Sequence, residues 1–159
     1  MTATPGGTIR KAHVTEAPSL HALTRRSALH WGYEPEFLEW EPEAIAVTPS
    51  FIAGATVHVL EDERRILGYY ALTGDPVELW LDKLFVEPER IGTGCGKRLW
   101  LHAVATARKL GAVELRIAAD PNATPFYQAM GATWEREEAT TRPGWNLQFL
   151  RYPLSFDGT

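Results

Sequence analysis

Three glycines at alternate positions, Gly92, Gly94 and Gly96, stand between a strand pattern and a helical pattern. Glycine loses more backbone entropy on folding than any other residue, so this run indicates a backbone that something approaches closely. A helix N-terminus presents N–H groups without intrahelical acceptors and a partial positive charge, which favours a phosphate. Lys97 and Arg98 oppose the helix dipole unless an anion offsets them. The run therefore predicts a phosphate site, with a tight structural turn as the alternative.

A second candidate segment runs from Asp120 to Gly131, at the end of the next strand pattern. Asp120 or Asn122 can cap a short helix there, and Gly131 can end it. Phe126 and Tyr127 are adjacent and fall on different faces of such a helix, so both cannot easily be buried. One of the two rings is therefore expected to face a ligand.

The cysteine and the histidines give weaker indications of a functional site. Cys95 lies at a helix start, where a thiolate is stabilised. However, no histidine is near it in sequence, which favours a small filler residue over a nucleophile. The histidines lack the spacing of metal ligands, and they are His13, His21, His30, His58 and His102. No metal site is expected.

The elements around these segments follow from apolar periodicity and turn residues. Strands are predicted at about 8–13, 55–60, 65–72, 79–86, 112–119, 133–140 and 146–152. Helices are predicted at about 15–31, 35–40, 97–110 and 123–130, with a looser stretch through residue 54. The order βααβββαβαββ predicts an α/β (α+β) fold, in which helices cover a mixed sheet.

Length, composition and charge argue against several classes of protein. With 159 residues, 45% hydrophobic and 23% charged, the chain fits one domain over 1–159, with 1–7 as a disordered lead. A net charge of -4 argues against a nucleic-acid partner. No apolar run reaches the ~18 residues of a membrane span. One cysteine cannot form an internal disulfide, and the N-terminus lacks a secretory pattern, so a cytoplasmic protein is expected.

The candidate segments together resemble one known family. The run Leu84 to Pro88, the glycine loop with its helix, and Asp120 to Ala123 followed by Phe126 and Tyr127 are similar to the GNAT superfamily of N-acetyltransferases. The resemblance implies a mostly antiparallel central sheet of six to seven strands flanked by about four helices. It also implies that the strand at 79–86 splays from the strand at 113–119, with acetyl-coenzyme A as co-substrate in the gap.

The resemblance also implies roles for individual residues. Asn122 would contact the pantetheine arm, and Tyr127 would donate a proton to the departing thiolate. The remaining cofactor contacts would be Leu84, Phe85, Val86, Ile91, Gly92, Thr93, Gly94, Cys95, Gly96 and Lys97. Ile91 departs from the usual Arg or Gln of the family, with Arg90 displaced by one. The loop is therefore expected to hold phosphate through its backbone.

Acetyl transfer to an amine needs a neutral nucleophile, donors at the thioester oxygen and an acid for the leaving sulfur. A tyrosine hydroxyl of pKa about 10 suits a thiolate of pKa about 8 to 9. Glu78 and Asp82 are the candidates for the general base that takes the amine proton, and strand alternation puts both on one face of the strand. A base that acts through water, or a reaction without a base, is the alternative. The resemblance implies that His30, Trp31 and Tyr33 contact the acceptor, although His30 also suits a solvated helix position.

Two other functions compete with an N-acetyltransferase acting on a primary amine of a small molecule or peptide. A dinucleotide-binding fold also has a strand, glycine loop and helix, but Asp120 comes about 28 residues after the first glycine where about 20 is expected. The second competing function is that of a non-catalytic sensor that binds acyl-coenzyme A. A cationic acceptor is suggested by the acidic residues Glu34, Glu36, Glu39, Glu41 and Glu43. A monomer or a homodimer is expected.

Overall fold

A computed structural model describes residues 6–32, 46–140 and 146–154. Its strands are β1 Thr8–Lys11, β2 Thr56–Asp62, β3 Arg65–Asp75, β4 Glu78–Val86, β5 Glu114–Ala119, β6 Thr133–Ala139 and β7 Asn146–Pro153. Its α-helices are α1 Ala17–His30, α2 Pro49–Gly54, α3 Cys95–Lys109 and α4 Thr124–Ala129. Short 3₁₀ turns cover Val14–Glu16 and Pro88–Arg90. The helix predicted at 35–40 lies outside the described residues.

The seven strands form one sheet in the order β1-β2-β3-β4-β5-β7-β6. The pairs β1 with β2, β5 with β7, and β6 with β7 are antiparallel, whereas β4 and β5 are parallel. A parallel pair needs a crossover, and α3 supplies it between β4 and β5. The predicted mixed, mostly antiparallel sheet is confirmed, and the described residues contain four flanking α-helices.

The parallel register between β4 and β5 is short. It joins Leu79–Leu81 to Leu115–Ile117, while β4 continues to Val86 and β5 to Ala119. An early end to the register is what the predicted splay of these strands requires.

The burial pattern of β4 differs from simple alternation. Its buried residues are Leu79, Leu81, Lys83 and Val86, so the alternation breaks after Lys83. Asp82 is exposed, so its carboxylate does not bear the cost of burial.

The chain divides into two compact units. The first comprises Met1–Ala71 with Lys83–Trp100, and the second Leu72–Asp82 with Leu101–Thr159. The core of the first unit lies under α1 and α2 and includes Leu20, Leu23, Val57, Val59 and Tyr69. Buried residues of the second unit include Leu79, Leu81, Ala103, Val104, Leu115 and Ile117.

Helix α2 replaces part of the stretch that the sequence left loose. The side chain of Thr48 accepts a hydrogen bond from the N–H of Phe51 at 3.0 Å, and Pro49 occupies the first helical position. A threonine cap followed by proline is a sequence signature of a helix start. That signature was present, but the six-residue helix is too short to show apolar periodicity.

Candidate active site

The glycine loop leads into α3 in the first unit. Gly92 and Gly94 adopt φ of 84° and 94°, a left-handed conformation that other residues rarely take, and both are exposed. Gly96 lies in the first turn of α3. Two of the three glycines are thus required by the backbone itself, whatever the loop holds.

The hydrogen bonds of the loop show which amides remain for an anion. The N–H of Ile91 donates to Pro88 at 3.3 Å and that of Thr93 to Arg90 at 3.2 Å. The N–H of Arg98 donates to Gly94 at 3.0 Å, which makes it the first helical bond of α3. The amides of residues 95–97 therefore have no acceptor one turn earlier in the helix. These amides, rather than that of Ile91, suit an anion.

Two side chains at the start of α3, those of Arg98 and Cys95, have partners within the protein. Arg98 donates from its two Nη atoms to the carbonyls of Gly6 and Gly7, each at 3.0 Å. This contact explains a basic residue at a helix start without a phosphate. Lys97 is exposed, and Cys95 is buried with its Sγ 3.3 Å from the Thr93 hydroxyl. Burial of the thiol agrees with a filler residue.

The strand end before the loop is well packed. Leu84 and Phe85 are half-buried and Val86 is buried. The ring of Phe85 lies 6.0 Å from that of Tyr69, and a Cβ built on Gly68 would lie 2.8 Å from the Phe85 carbonyl oxygen. The side chain of Phe85 thus serves the core, which leaves backbone groups as its route to a ligand.

In the second unit, Asp120 organises the start of α4. Its Oδ1 accepts from the N–H of Ala123 at 3.0 Å, and its carbonyl accepts from the Thr124 hydroxyl at 3.3 Å. The N-cap residue of α4 is Ala123, without a side-chain capping bond, so the prediction that Asp120 or Asn122 caps the helix is wrong; Asp120 instead binds the N–H of the cap residue. Asn122 lies beside it and is exposed.

Tyr127 lies in α4 and is 6% exposed. Burial, and secondarily the charge of Asp120, raise the pKa of its hydroxyl above the ordinary value. The hydroxyl is therefore neutral at physiological pH and able to donate a proton in a hydrogen bond. Phe126 is half-buried with its ring 5.2 Å from that of Tyr127, so the expectation that both could not be buried is only partly met.

The two candidate bases have different surroundings. Glu78 is exposed, and its Oε1 lies 3.4 Å from Nη1 of Arg116. Arg116 in turn lies 3.5 Å from Glu114 and 6.0 Å from the ring of Trp80. Asp82 is also exposed and follows the last residue of the parallel register. Glu78 is thus held in an ion-pair network on the sheet surface.

The acceptor candidates lie at the end of α1. His30 is its last residue and Trp31 follows; both are exposed, with their rings 5.3 Å apart in an edge-on arrangement. Tyr33 and the acidic residues at 34–43 lie outside the described residues. Within the described ranges, no group of three or more His, Cys, Asp or Glu side chains could hold a metal ion.

A family model described as an acetyltransferase (GNAT) domain matches residues 41–143, more than half of the chain. The chain belongs to the GNAT acetyltransferase family. The predicted family and enzyme class, an acyltransferase, are therefore confirmed. Acetyl-coenzyme A is the co-substrate that the family uses. No curated protein sequence matches the chain significantly.

Solved structures show the same fold. A GCN5-related N-acetyltransferase from Rhodopseudomonas palustris superposes with a TM-score of 0.79 at 18% identity, covering 96% of this chain and 99% of that one. The PaiA N-acetyltransferase from Thermoplasma acidophilum, solved with coenzyme A, gives 0.75 at 20% identity, with 92% and 99% covered. YncA, a putative acetyltransferase from Salmonella typhimurium solved with acetyl-CoA, gives 0.69 at 17% identity, with 97% of each chain covered.

One feature near the loop, the ion pair between Arg26 and Glu87, was not predicted from the sequence. Nε of Arg26 lies 3.0 Å from Oε1 of Glu87, and the carboxylate is buried. A glutamate directly after an apolar strand could have indicated a buried partner. Its partner lies 61 positions earlier, and no local pattern connects the two.

Proposed function

We propose that this chain transfers the acetyl group of acetyl-coenzyme A to a primary amine of a small molecule or peptide, by direct attack. The observation that carries the proposal is the buried, neutral Tyr127 in α4, directly after the Asp120 to Asn122 segment. The GNAT family match and the relatives solved with coenzyme A or acetyl-CoA support it.

The proposed cofactor contacts are mostly backbone groups. The pyrophosphate would sit on the amides of Gly94, Cys95, Gly96 and Lys97 at the start of α3, where the helix dipole favours an anion. Ile91, Gly92 and Thr93 would shape the loop rather than donate. The pantetheine arm would pair with backbone groups at Leu84, Phe85 and Val86, and would contact Asn122.

In the proposed reaction the amine lone pair attacks the thioester carbonyl carbon, the C–S bond breaks, and the amine gives up one proton. Tyr127 would face the sulfur as negative charge develops there. The ordinary pKa of a tyrosine hydroxyl already exceeds that of a thiol, and burial raises it further, so complete proton transfer from Tyr127 to the thiolate is uphill. Its main contribution would be a hydrogen bond that stabilises the thiolate, which then takes a proton from solvent.

The base belongs to the same proposal. Asp82 or Glu78 would accept the amine proton directly or through one water, and we favour Asp82 because it follows the last residue of the parallel register, where the gap between β4 and β5 would begin. His30 and Trp31 would contact the acceptor from the end of α1. We also propose a cytoplasmic location, which suits a chain whose one cysteine forms no disulfide.

The test follows thiol release from acetyl-coenzyme A over a panel of primary amines and peptides, with Tyr127→Phe beside the parent. We expect release with some acceptors and a loss of about 10²- to 10³-fold in kcat for Tyr127→Phe, with coenzyme A affinity retained. Tyr152→Phe is the matched control, a tyrosine on β7, and should keep full activity.

Two outcomes would contradict the proposal. Release no faster than hydrolysis with every acceptor, while coenzyme A still binds, would support the sensor function. Equal turnover by the parent and Tyr127→Phe would remove Tyr127 from the reaction.

A further inference from the structure

The segment that enters the cofactor loop is attached to α1 by one ion pair. Glu87 follows β4 directly and is 6% exposed, although it carries a charge. Nε and Nη2 of Arg26 donate to the two carboxylate oxygens, a bidentate arrangement that is strong and specific in geometry. A buried carboxylate is costly without such a partner, so Glu87 stays where Arg26 holds it.

A chain of backbone hydrogen bonds connects Glu87 to the glycine loop. The N–H of Glu87 donates to Leu67 on β3 at 2.8 Å, which orients the residue. The N–H of Arg90 donates to the carbonyl of Glu87 at 2.8 Å, and the N–H of Thr93 donates to the carbonyl of Arg90 at 3.2 Å. Through these two hydrogen bonds, the position of Glu87 constrains the position of Thr93, the residue before Gly94.

Stability alone is a weak reason for this pair. The Arg26 side chain is 52% exposed, and pairs open to solvent contribute little to folding. A pair of leucine-like side chains would fill the same place at lower cost. What the ion pair adds is geometry, because two parallel hydrogen bonds fix the carboxylate in one orientation.

We infer that Arg26 is a positioning residue for the cofactor loop, acting through Glu87. The inference rests on the proposed function, since it assumes that the loop binds the pyrophosphate. Arg26 also precedes His30 by one turn on the same face of α1. One helix thus carries both the residue that positions the cofactor loop and a proposed acceptor contact.

The experiment measures coenzyme A affinity by calorimetry and acetyl-transfer kinetics for Arg26→Met, Arg26→Lys, and Arg26→Met with Glu87→Met. Arg25→Met, the neighbouring position of the same helix, is the control. We expect Arg26→Met to weaken coenzyme A binding about 10-fold or more, because small displacements of a binding group are costly. KM for acetyl-coenzyme A should rise while KM for the amine stays within about twofold.

The double variant separates positioning from folding. It removes the buried charge together with its partner, so its resistance to urea should return toward that of the parent. If Arg26 positions the loop, coenzyme A affinity stays low in the double variant, and Arg26→Lys recovers only part of it. Parent-like affinity in the double variant would overturn the inference, since the single change would then act only through an unpaired carboxylate.

Coenzyme A binding by the parent protein distinguishes failure of this inference from failure of the proposed function. A parent that binds no coenzyme A contradicts the proposed function, and the inference with it. A parent that binds coenzyme A as tightly as Arg26→Met contradicts the inference alone. Equal weakening by Arg25→Met would also overturn it, because any loss of positive charge on α1 would then have the same effect.

Discussion

Two buried titratable groups near the candidate site avoid the cost of burial in different ways. Tyr127 stays neutral, because removal from water and the charge of Asp120 raise its pKa. Glu87 stays bound to the guanidinium of Arg26, whose pKa the carboxylate raises. The first arrangement keeps the hydroxyl protonated, and the second fixes a backbone position. Tyr127 thus suits a hydrogen-bond donor, and Glu87 suits the contact through which Arg26 positions the loop.

The choice between the candidate bases can be settled at the residue scale. We expect Asp82→Asn to lower kcat by about 10²-fold or more, the usual range for a lost general base. Glu78→Gln should change kcat by less than about threefold, because Glu78 serves the Arg116 network. Steady-state kinetics between pH 6 and 9 measure both. The reverse order of effects would assign the base to Glu78, and two small effects would leave water as the acceptor.

Two ion pairs connect β1 to its neighbours. Arg10 of β1 pairs with Glu16 at 2.7 Å and with Glu61 of β2 at 3.1 Å. Hydrogen bonds from Arg10 lower the pKa of both carboxyls below the usual value. Groups with a lowered pKa in the folded state contribute stability above their unfolded pKa of about 4.3, and lose it as pH falls further.

We therefore expect Arg10→Met to lower the urea midpoint at pH 7, with a difference from the parent that shrinks below about pH 4. Lys11→Met, one residue along the same strand, is the control and should show little effect at either pH. Urea unfolding at pH 7, 5 and 3 makes the comparison. A difference that is constant over this range would show that Arg10 acts through packing rather than charge.

The hairpin between β3 and β4 depends on one glycine. Gly74 adopts φ of 92°, and a Cβ added there would overlap the carbonyl oxygen of Glu78. We expect Gly74→Ala to reduce the free energy of unfolding by about 2 kcal/mol or more, combining left-handed strain with displaced backbone.

The matched substitution is Gly54→Ala at the end of α2, where a Cβ meets open space and φ is not left-handed. Alanine there should stabilise by about 0.4–1 kcal/mol, because it restricts the unfolded chain. Urea unfolding of both variants tests the pair. Similar effects of the two changes would mean that the conformation at Gly74 is not required.

The sequence predicted the order of the elements because turn residues and apolar periodicity mark most of them locally. A turn between β2 and β3 was predicted, but not its left-handed conformation, in which Glu63 and Arg64 take φ of 49° and 67°. Such turns usually contain Asn-Gly, so the residue types gave no indication. The pair Arg26 with Glu87 was missed for a different reason, since it depends on tertiary packing alone.

At the scale of the whole molecule, family membership and the ligand can be tested separately. The match over residues 41–143 shows the family, whereas the solved relatives at 17–20% identity show the fold alone. A ligand that binds only the folded protein stabilises it by mass action. Thermal unfolding with and without ligand therefore reports on the cofactor without knowledge of the acceptor.

We expect acetyl-coenzyme A at about 100 times its Kd to stabilise the fold by about 2.7 kcal/mol. For a chain of this size that corresponds to a rise in Tm of about 5–10 °C. NAD at the same concentration should leave Tm unchanged, because the acid that ends the next strand, Asp120, comes about 28 residues after the first glycine where about 20 is expected. A rise with NAD and none with acetyl-coenzyme A would favour a dinucleotide site. A rise with acetyl-coenzyme A but no acetyl transfer would favour the sensor, since cofactor binding and Tyr127 chemistry depend on different residues.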